Sequence, residues 1–178
     1  EHEALINRLG FNNGGVDDAL KRLQTRDTTV PVGVNIGKNA ATAIERAADD
    51  YLLALRAVYA TADYITINIS SPNTKNLRDL QAPDSVAALV STLTDEGRRL
   101  ARLHGRRRPI AVKIAPDLDD GVIADVVDAI IAAGADAIIS SNTTIRRDGV
   151  AGHLHAQQTG GLSGAPLTAR ADAVLAQV

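Results

Sequence analysis

The sequence predicts an α/β fold: a (β/α)8 barrel, of which these 178 residues carry about the central four strand–helix units. Three observations predict it. Apolar patterning switches four times in succession between a strand period of two and a helical period. No Asn-Gly or Asp-Gly hairpin joins neighbouring strands, so they run parallel, with right-handed crossovers. One face of three strands is small and polar: Gly33 with Asn35, Thr66 with Asn68, Ala111 with Lys113. An open doubly wound sheet is apolar on both faces, whereas a barrel interior with a polar mouth is not. Four units in this length also fit a fold that spends ~250 residues on eight. Residues 1–178 read as a single partial barrel domain.

The elements follow in order. Asn7 to Asn13 (NRLGFNN) is polar and leads into Gly14-Gly15, which reads as a loop. Val16 to Gln24 sets Val16, Leu20 and Leu23 at helical spacing behind Asp17 and Asp18. Val30 to Asn39 (VPVGVNIGKN) alternates as a strand. Ala43 to Ala60 is a helix with the stripe Ile44, Ala48, Tyr51, Leu52, Leu55 and Tyr59. Tyr64 to Leu77 (YITINISSPNTKNL) starts as a strand, and Pro72 ends it in a polar turn. Pro83 to His104 is a helix with Pro83 in its first turn and the stripe Val86, Leu89, Val90, Leu93, Leu100, Leu103. Pro109 to Asp117 is the next strand. Asp119 to Ala133 is a helix with the stripe Val122, Ile123, Val126, Val127, Ile130, Ile131, closed by Gly134 at C′. Asp136 to Ser140 is the fourth strand. Ile145 to Pro166 reads as one long Gly-rich loop, the length of a functional lid. The last helix begins near Leu167.

Composition excludes several functions. A net charge of −2 attracts no polyanion, which argues against nucleic acid. The Arg106-Arg107-Arg108 run reads as a solvated turn. The absence of cysteine excludes disulfides, thiolate metal sites and a cysteine nucleophile. His2, His104, His153 and His155 lack ligand spacing, so no metal site is expected. No apolar run approaches the ~18 residues of a membrane span. The chain opens at Glu1 and closes at Val178 within a helix, which reads as a segment of a longer chain.

The strand tips pool Asn35, Asn68, Ser71, Asn73, Lys113, Asn142 and Thr143, with Asn7 nearby. A single strand-end asparagine is usually a turn residue. Several converging carboxamides instead match the alternating donors and acceptors of a cyclic imide without net charge. Lys113 points to the interior of an otherwise apolar strand. Three roles fit it: a Schiff base as in lysine aldolases, a contact to an anionic cofactor atom, or a chain snorkelling to the rim. Ser71 is a nucleophile or a base. With no GxSxG and no adjacent histidine, acyl transfer is disfavoured, and a base needs a relay, for which Thr74 is the nearest hydroxyl.

The motifs NRLGFNN, VNIGKN, INISSPNT, VKIAPDL, SNTT and QTGGLSG, in this order and spacing, resemble the dihydroorotate dehydrogenases. The likeness runs from about Asn7 to Leu167. Ser71 stands where class 1 enzymes carry cysteine, which is similar to the class 2, quinone-dependent branch. The resemblance implies a barrel flavoprotein that oxidises (S)-dihydroorotate to orotate in pyrimidine biosynthesis, with FMN as hydride acceptor. Ubiquinone or menaquinone would be the final acceptor, at the cytoplasmic face of the cell membrane. Carried over, Ser71 is the catalytic base with Thr74 in its relay, and Lys113 stabilises the reduced flavin. Asn35, Asn68, Lys113, Ser141 and Gly164 contact FMN. Asn7, Arg8, Leu9, Gly10, Phe11, Asn68, Asn73, Asn142 and Thr143 contact the pyrimidine. Ser141 replaces a frequent threonine and keeps the hydroxyl.

The family's other barrel strands and its membrane-docking helices fall outside these residues, so weak FMN binding or none is expected of the 178 residues alone. The rival readings are a class 1-like enzyme, a dihydrouridine synthase-like flavin barrel, and a non-catalytic barrel fragment. Dihydrouridine synthases favour a cysteine acid, which this chain lacks.

Overall fold

A computed structural model describes residues 3–178; His2 lies outside the described residues. Among them, four strands form one parallel sheet in sequence order: β2 (Gly33–Ile36), β3 (Tyr64–Asn68), β4 (Ile110–Ile114) and β5 (Ala137–Ser140). Helices α2 (Ala47–Val58), α3 (Pro83–His104) and α4 (Asp120–Ala132) make the crossovers, with α1 (Val16–Gln24) before β2 and α5 (Thr168–Leu175) at the end. This is half of a (β/α)8 barrel, with strand order, direction and crossovers as the patterning predicts.

The predicted helix from Ala43 enters through a short 3-10 turn at Ile44–Arg46 and becomes α-helical at Ala47. The α3 bounds match their prediction, because Pro83 suits the first turn and Gly105 at φ +65° ends it. Helix α4 ends in a Schellman motif: the Gly134 N–H donates to Ile131 O at 2.9 Å and the Ala135 N–H to Ile130 O at 3.3 Å.

The core lies on the helix side of the sheet. Ile65, Ile67, Ile110, Val112 and Ile114 meet Tyr51, Leu55, Val86, Val90, Leu93, Ile123, Val126 and Ile130. Each such aliphatic side chain contributes about 1.5–3 kcal/mol of burial. Two stripe residues fall outside this core: Leu103 and Ile131 are exposed at 66% and 59%. Both sit in the last turn of their helices on the side turned away from the sheet: Ile130, about 100° round the helix from Ile131, is fully buried. At Gly97 helix and strand approach closely; a Cβ there would lie 2.9 Å from Ile110 Cδ1, and the Tyr59 hydroxyl donates to Gly97 O at 3.0 Å.

The arginine run is not the solvated turn its charge suggests. Arg106 and Arg107 stay largely exposed, but Arg108 is buried. Its guanidinium donates to Tyr59 O and Ala60 O at 3.2 and 2.9 Å, and Nη1 lies 3.6 Å from Asp63. Burial outweighs the nearby carboxylate and holds its pKa below the usual arginine value.

The inner face bears the small and polar residues. Gly33 is required there, because a Cβ would collide with the Tyr64 ring on the paired strand.

Two elements were not legible as strands. β1 (Ala4–Asn7) and β6 (Gly161–Gly164) form an antiparallel ribbon, Ala4 opposite Gly164 and Asn7 opposite Gly161. The NRLGFNN loop therefore begins as a strand end, and the long Gly-rich loop from Ile145 is interrupted by β6. Leu162 also exchanges both backbone hydrogen bonds with Thr144, at 3.0 and 2.7 Å. That bridge fastens the ribbon over the tips of the parallel sheet.

Candidate functional site

The sheet register sets the site. Asn68 ends β3 directly opposite Lys113 on β4, and Asn35 on β2 faces Thr66 one step lower. Asn68 is buried. Its Oδ1 accepts from the Ser70 backbone N–H at 3.1 Å and from Ser70 Oγ at 2.8 Å. Its backbone carbonyl accepts the Tyr51 hydroxyl at 2.8 Å, which pins the strand tip to α2. Burial pushes the Tyr51 phenol above its usual pKa, keeping it a neutral donor.

Past β5, Asn142 Nδ2 donates to Ser70 Oγ at 2.8 Å, and Asn142 Oδ1 accepts from the Thr143 N–H at 2.8 Å. From above, Asn73 Nδ2 reaches Asn7 O and Oδ1 at 3.3 and 3.4 Å. Four asparagines from the ends of three strands and one turn thus gather around the Ser70-Ser71 step. Ser71 is buried, and its Oγ accepts from the Asn73 N–H at 3.3 Å, a serine turn that holds the hydroxyl at the mouth.

Thr74 is buried four positions from Ser70, but its hydroxyl forms no hydrogen bond to Ser71 among the described residues. Gly161 packs beside this group: a Cβ there would collide with Thr143 Oγ1 and lie 3.1 Å from Pro72 Cγ.

Lys113 is half-buried on the inner face and makes no hydrogen bond or ion pair among the described residues. Burial lowers its ammonium pKa from the usual lysine value.

The other expected residues are less convergent. Asn35 is exposed on the inner face, and its side chain has no hydrogen-bond partner among the described residues. Among the described residues Ser141 Oγ reaches only its neighbour's carbonyl, at 3.4 Å. Gly164 lies at the far end of the ribbon, opposite Ala4, the length of β6 away from Gly161. Arg8 is drawn to Gln158 Oε1 and Thr159 O at 3.3 and 3.1 Å, and Leu9 is 65% exposed. Gly10, at φ +62°, is beside the Asn73 backbone, and the Phe11 ring covers Gly37 at the β2 tip.

The reading by motif missed the residues that hold the site together. Arg78 donates to Ser70 O at 3.0 Å, Thr143 O at 2.9 Å and Asp117 Oδ2 at 2.5 Å. Asp117 also accepts from Thr144 Oγ1 and from the Ile145 N–H at 3.3 Å. Lys38 is buried, its ammonium donating to Asn39 O and Thr42 O at 2.7 and 2.6 Å. In sequence each is an isolated charge in a polar loop, a pattern that solvated side chains share. A groove of about 600 Å³ runs elsewhere, along the outer side of the ribbon between Leu5, His153 and Leu162. It contains none of the strand-tip asparagines. Among the described residues no cluster of His, Asp and Glu is arranged to hold a metal.

The chain matches the family described as Dihydroorotate dehydrogenase over residues 1–178. It is 50% identical over 175 residues to proteins of Burkholderia pseudomallei and Burkholderia mallei named dihydroorotate dehydrogenase (quinone). That alignment covers 98% of this chain and 51% of theirs, so the chain spans about half the length of the curated relatives it matches. Among solved structures, it is similar to a ligand-free dihydroorotate dehydrogenase from Eimeria tenella, at TM-score 0.86 and 38% identity, covering 97% of this chain and 53% of that one. The same enzyme in complex with ferulenol matches at TM-score 0.88 and 35% identity, covering 99% and 52%.

Proposed function

The chain belongs to the dihydroorotate dehydrogenase family, and from that membership we propose that it forms the central part of a quinone-dependent enzyme that oxidises (S)-dihydroorotate to orotate in pyrimidine biosynthesis. The observation that carries this reading is the convergence of Asn7, Asn68, Asn73 and Asn142 around the Ser70-Ser71 step, with Lys113 opposite Asn68. Uncharged carboxamides suit a cyclic imide ring, and the buried hydroxyl beside them suits proton removal.

FMN fits this inner face. Lys113 is a partly desolvated cation without a counter-ion among the described residues, and among them Asn35 and the Asn68 carboxamide nitrogen have no hydrogen-bond partner. Lys113, Asn35 and Asn68 would hold the flavin, with Ser141 and Gly164 as further contacts. When bound, FMN supplies the acceptor for the substrate's hydride.

This chain's own groups do the rest. Asn7, Asn68, Asn73, Asn142 and Thr143 hold the ring, and Arg8, Leu9, Gly10 and Phe11 form its cover. Ser71 Oγ takes the proton from the ring carbon next to the carbonyl as its own hydroxyl proton passes on toward Thr74 or water. Lys113 provides positive charge where negative charge gathers. Ubiquinone or menaquinone would be the final acceptor, with peripheral contact at the cytoplasmic face of the membrane. No helix among the described residues is long and apolar enough to cross one.

The test is the full reading frame containing this chain, purified and given dihydroorotate. A flavin spectrum that bleaches with substrate and recovers with a quinone is expected. Recovery with NAD or fumarate but not quinone would reassign the acceptor; a flavin that never bleaches would overturn the substrate.

A further inference from the structure

We infer that Ser70 is a positioning residue that fixes two substrate-facing asparagines as hydrogen-bond donors, so that the site selects a ligand edge rich in acceptors. The inference rests on the functional reading above and deepens it, since the family resemblance assigns Ser70 no role.

The polarity follows from groups whose direction is fixed. A backbone N–H only donates. The Ser70 N–H faces one carboxamide atom of Asn68 at 3.1 Å, so that atom is Oδ1 and Nδ2 points away. The Thr143 N–H faces one carboxamide atom of Asn142 at 2.8 Å, so that atom is Oδ1 too. The Asn142 Nδ2 must then donate to Ser70 Oγ at 2.8 Å, and the single Ser70 hydroxyl proton goes to Asn68 Oδ1 at 2.8 Å.

The chain Asn142 → Ser70 → Asn68 therefore runs one way only. It fills both acceptor positions of Asn68 Oδ1 and one of Asn142 Oδ1, and among the described residues leaves three carboxamide N–H groups without a partner: both on Asn68 and one on Asn142. Ser70 is fully buried. Its carbonyl is held in turn by Arg78 Nε at 3.0 Å.

A planar ligand offering carbonyl or carboxylate oxygens meets this donor pair; one offering N–H groups at the same edge is refused, because the buried Asn68 donor and the half-buried Asn142 donor would face a third. Removing the hydroxyl leaves each carboxamide with one backbone anchor and lets it turn.

The experiment compares Ser70→Ala and Ser70→Thr with wild type in the complete protein. The measurements are orotate Kd, dihydroorotate KM and kcat, flavin content, and side-chain amide spectra after 15N-asparagine labelling. Ser70→Ala should weaken orotate about 10- to 100-fold, the usual cost of disordering hydrogen bonds to a charged or strongly polar ligand. KM should rise by more than kcat falls, with flavin content retained. Ser70→Thr, which keeps the hydroxyl, should recover at least half of the lost affinity on a logarithmic scale. The Asn68 and Asn142 amide resonances should move together in Ser70→Ala alone.

Orotate affinity within twofold of wild type in Ser70→Ala would overturn the assignment. So would a Ser70→Thr protein that folds, keeps its flavin and binds orotate no better than Ser70→Ala. Should Ser70→Ala not fold, Ser70→Thr decides: wild-type amide resonances support the assignment, and displaced ones overturn it. If wild type binds no orotate, the functional reading fails by itself. The amide spectra then still decide whether Ser70 couples the two asparagines.

Discussion

Arg78 Nη1 lies 2.5 Å from Asp117 Oδ2, and this ion pair ties together the loops that follow three parallel strands. Arg78 also holds Ser70 O past β3 and Thr143 O past β5, while Asp117 past β4 takes Thr144 and Ile145. Both side chains are mostly buried, at 19% and 12% exposure. The asparagines come from separate strands, so their mutual placement is only as good as this tie.

Arg78→Met in the complete protein should cost about 2–4 kcal/mol of unfolding free energy, because Asp117 is left mostly buried without its cation. Arg78→Lys keeps a point charge but not the planar fork that reaches three acceptors, and should recover less than half of the loss. Urea unfolding measures both. An Arg78→Met protein within 0.5 kcal/mol of wild type would show that the loops hold their places unaided.

Ser71→Ala should slow flavin reduction by dihydroorotate about 10²- to 10⁴-fold, the worth of a positioned base, while orotate binding persists. Stopped-flow bleaching of the oxidised flavin without oxygen reads the step directly. Thr74→Val should slow it far less, since Thr74 is not hydrogen-bonded to Ser71 here and water can take its place in the relay. A Ser71→Ala rate within threefold of wild type would return Ser71 to its turn-forming role with Asn73.

These two predictions mark what the sequence does and does not reveal. Ser71 was visible because strand alternation stops at Pro72, which puts every polar residue near it at a tip. The parallel sheet was visible because Ile65, Ile67, Val112 and Ile114 keep a strict period of two. Arg78 and Asp117 were not, because the two lie 39 residues apart and no periodicity links them. Arg108 was misread because a run of three arginines carries no sign of which one turns inward. The β1–β6 ribbon was hidden for another reason: four residues are too few to establish alternation, and Gly161 and Gly164 read as loop. Those glycines serve close approach, to Thr143 and to the Glu3 carbonyl.

Glu96 gives a pH signature on the helix side. It accepts from Arg99 at 2.7 and 2.8 Å and from Arg56 at 2.7 Å, joining α3 to α2. These arginines, Arg99 first, hold its carboxyl at about 2 against a usual 4.5. A depressed carboxylate stabilises the fold fully above its unfolded value and loses that contribution as pH falls toward the folded one. Glu96→Gln should therefore be less stable than wild type at pH 6, by on the order of 1 kcal/mol because both arginines are half-exposed. The gap should close between pH 4.5 and 2. Thermal unfolding of both proteins across that range checks it; a constant gap would mean that packing, not charge, is what Glu96 contributes.

Lys113 separates function from stability by sign. Burial lowers its pKa, so the charged form is disfavoured in the fold. For a lysine shifted this way, the cost is complete at neutral pH and fades as pH rises through the folded value toward the unfolded one. Lys113→Met keeps the chain length and removes the charge, so the flavin-free protein should melt higher, by up to about 3 °C. The same variant should retain less FMN and reduce it more slowly, because the cation facing the ligand is gone. A lysine that merely snorkels to the rim predicts neither change, and a lysine that supports the fold predicts a lower melting temperature. Melting of the flavin-free form, flavin content by absorbance and the anaerobic reduction rate together distinguish the three. Borohydride trapping adds the last arm: a covalent adduct at Lys113 with substrate would replace the electrostatic role by Schiff-base chemistry.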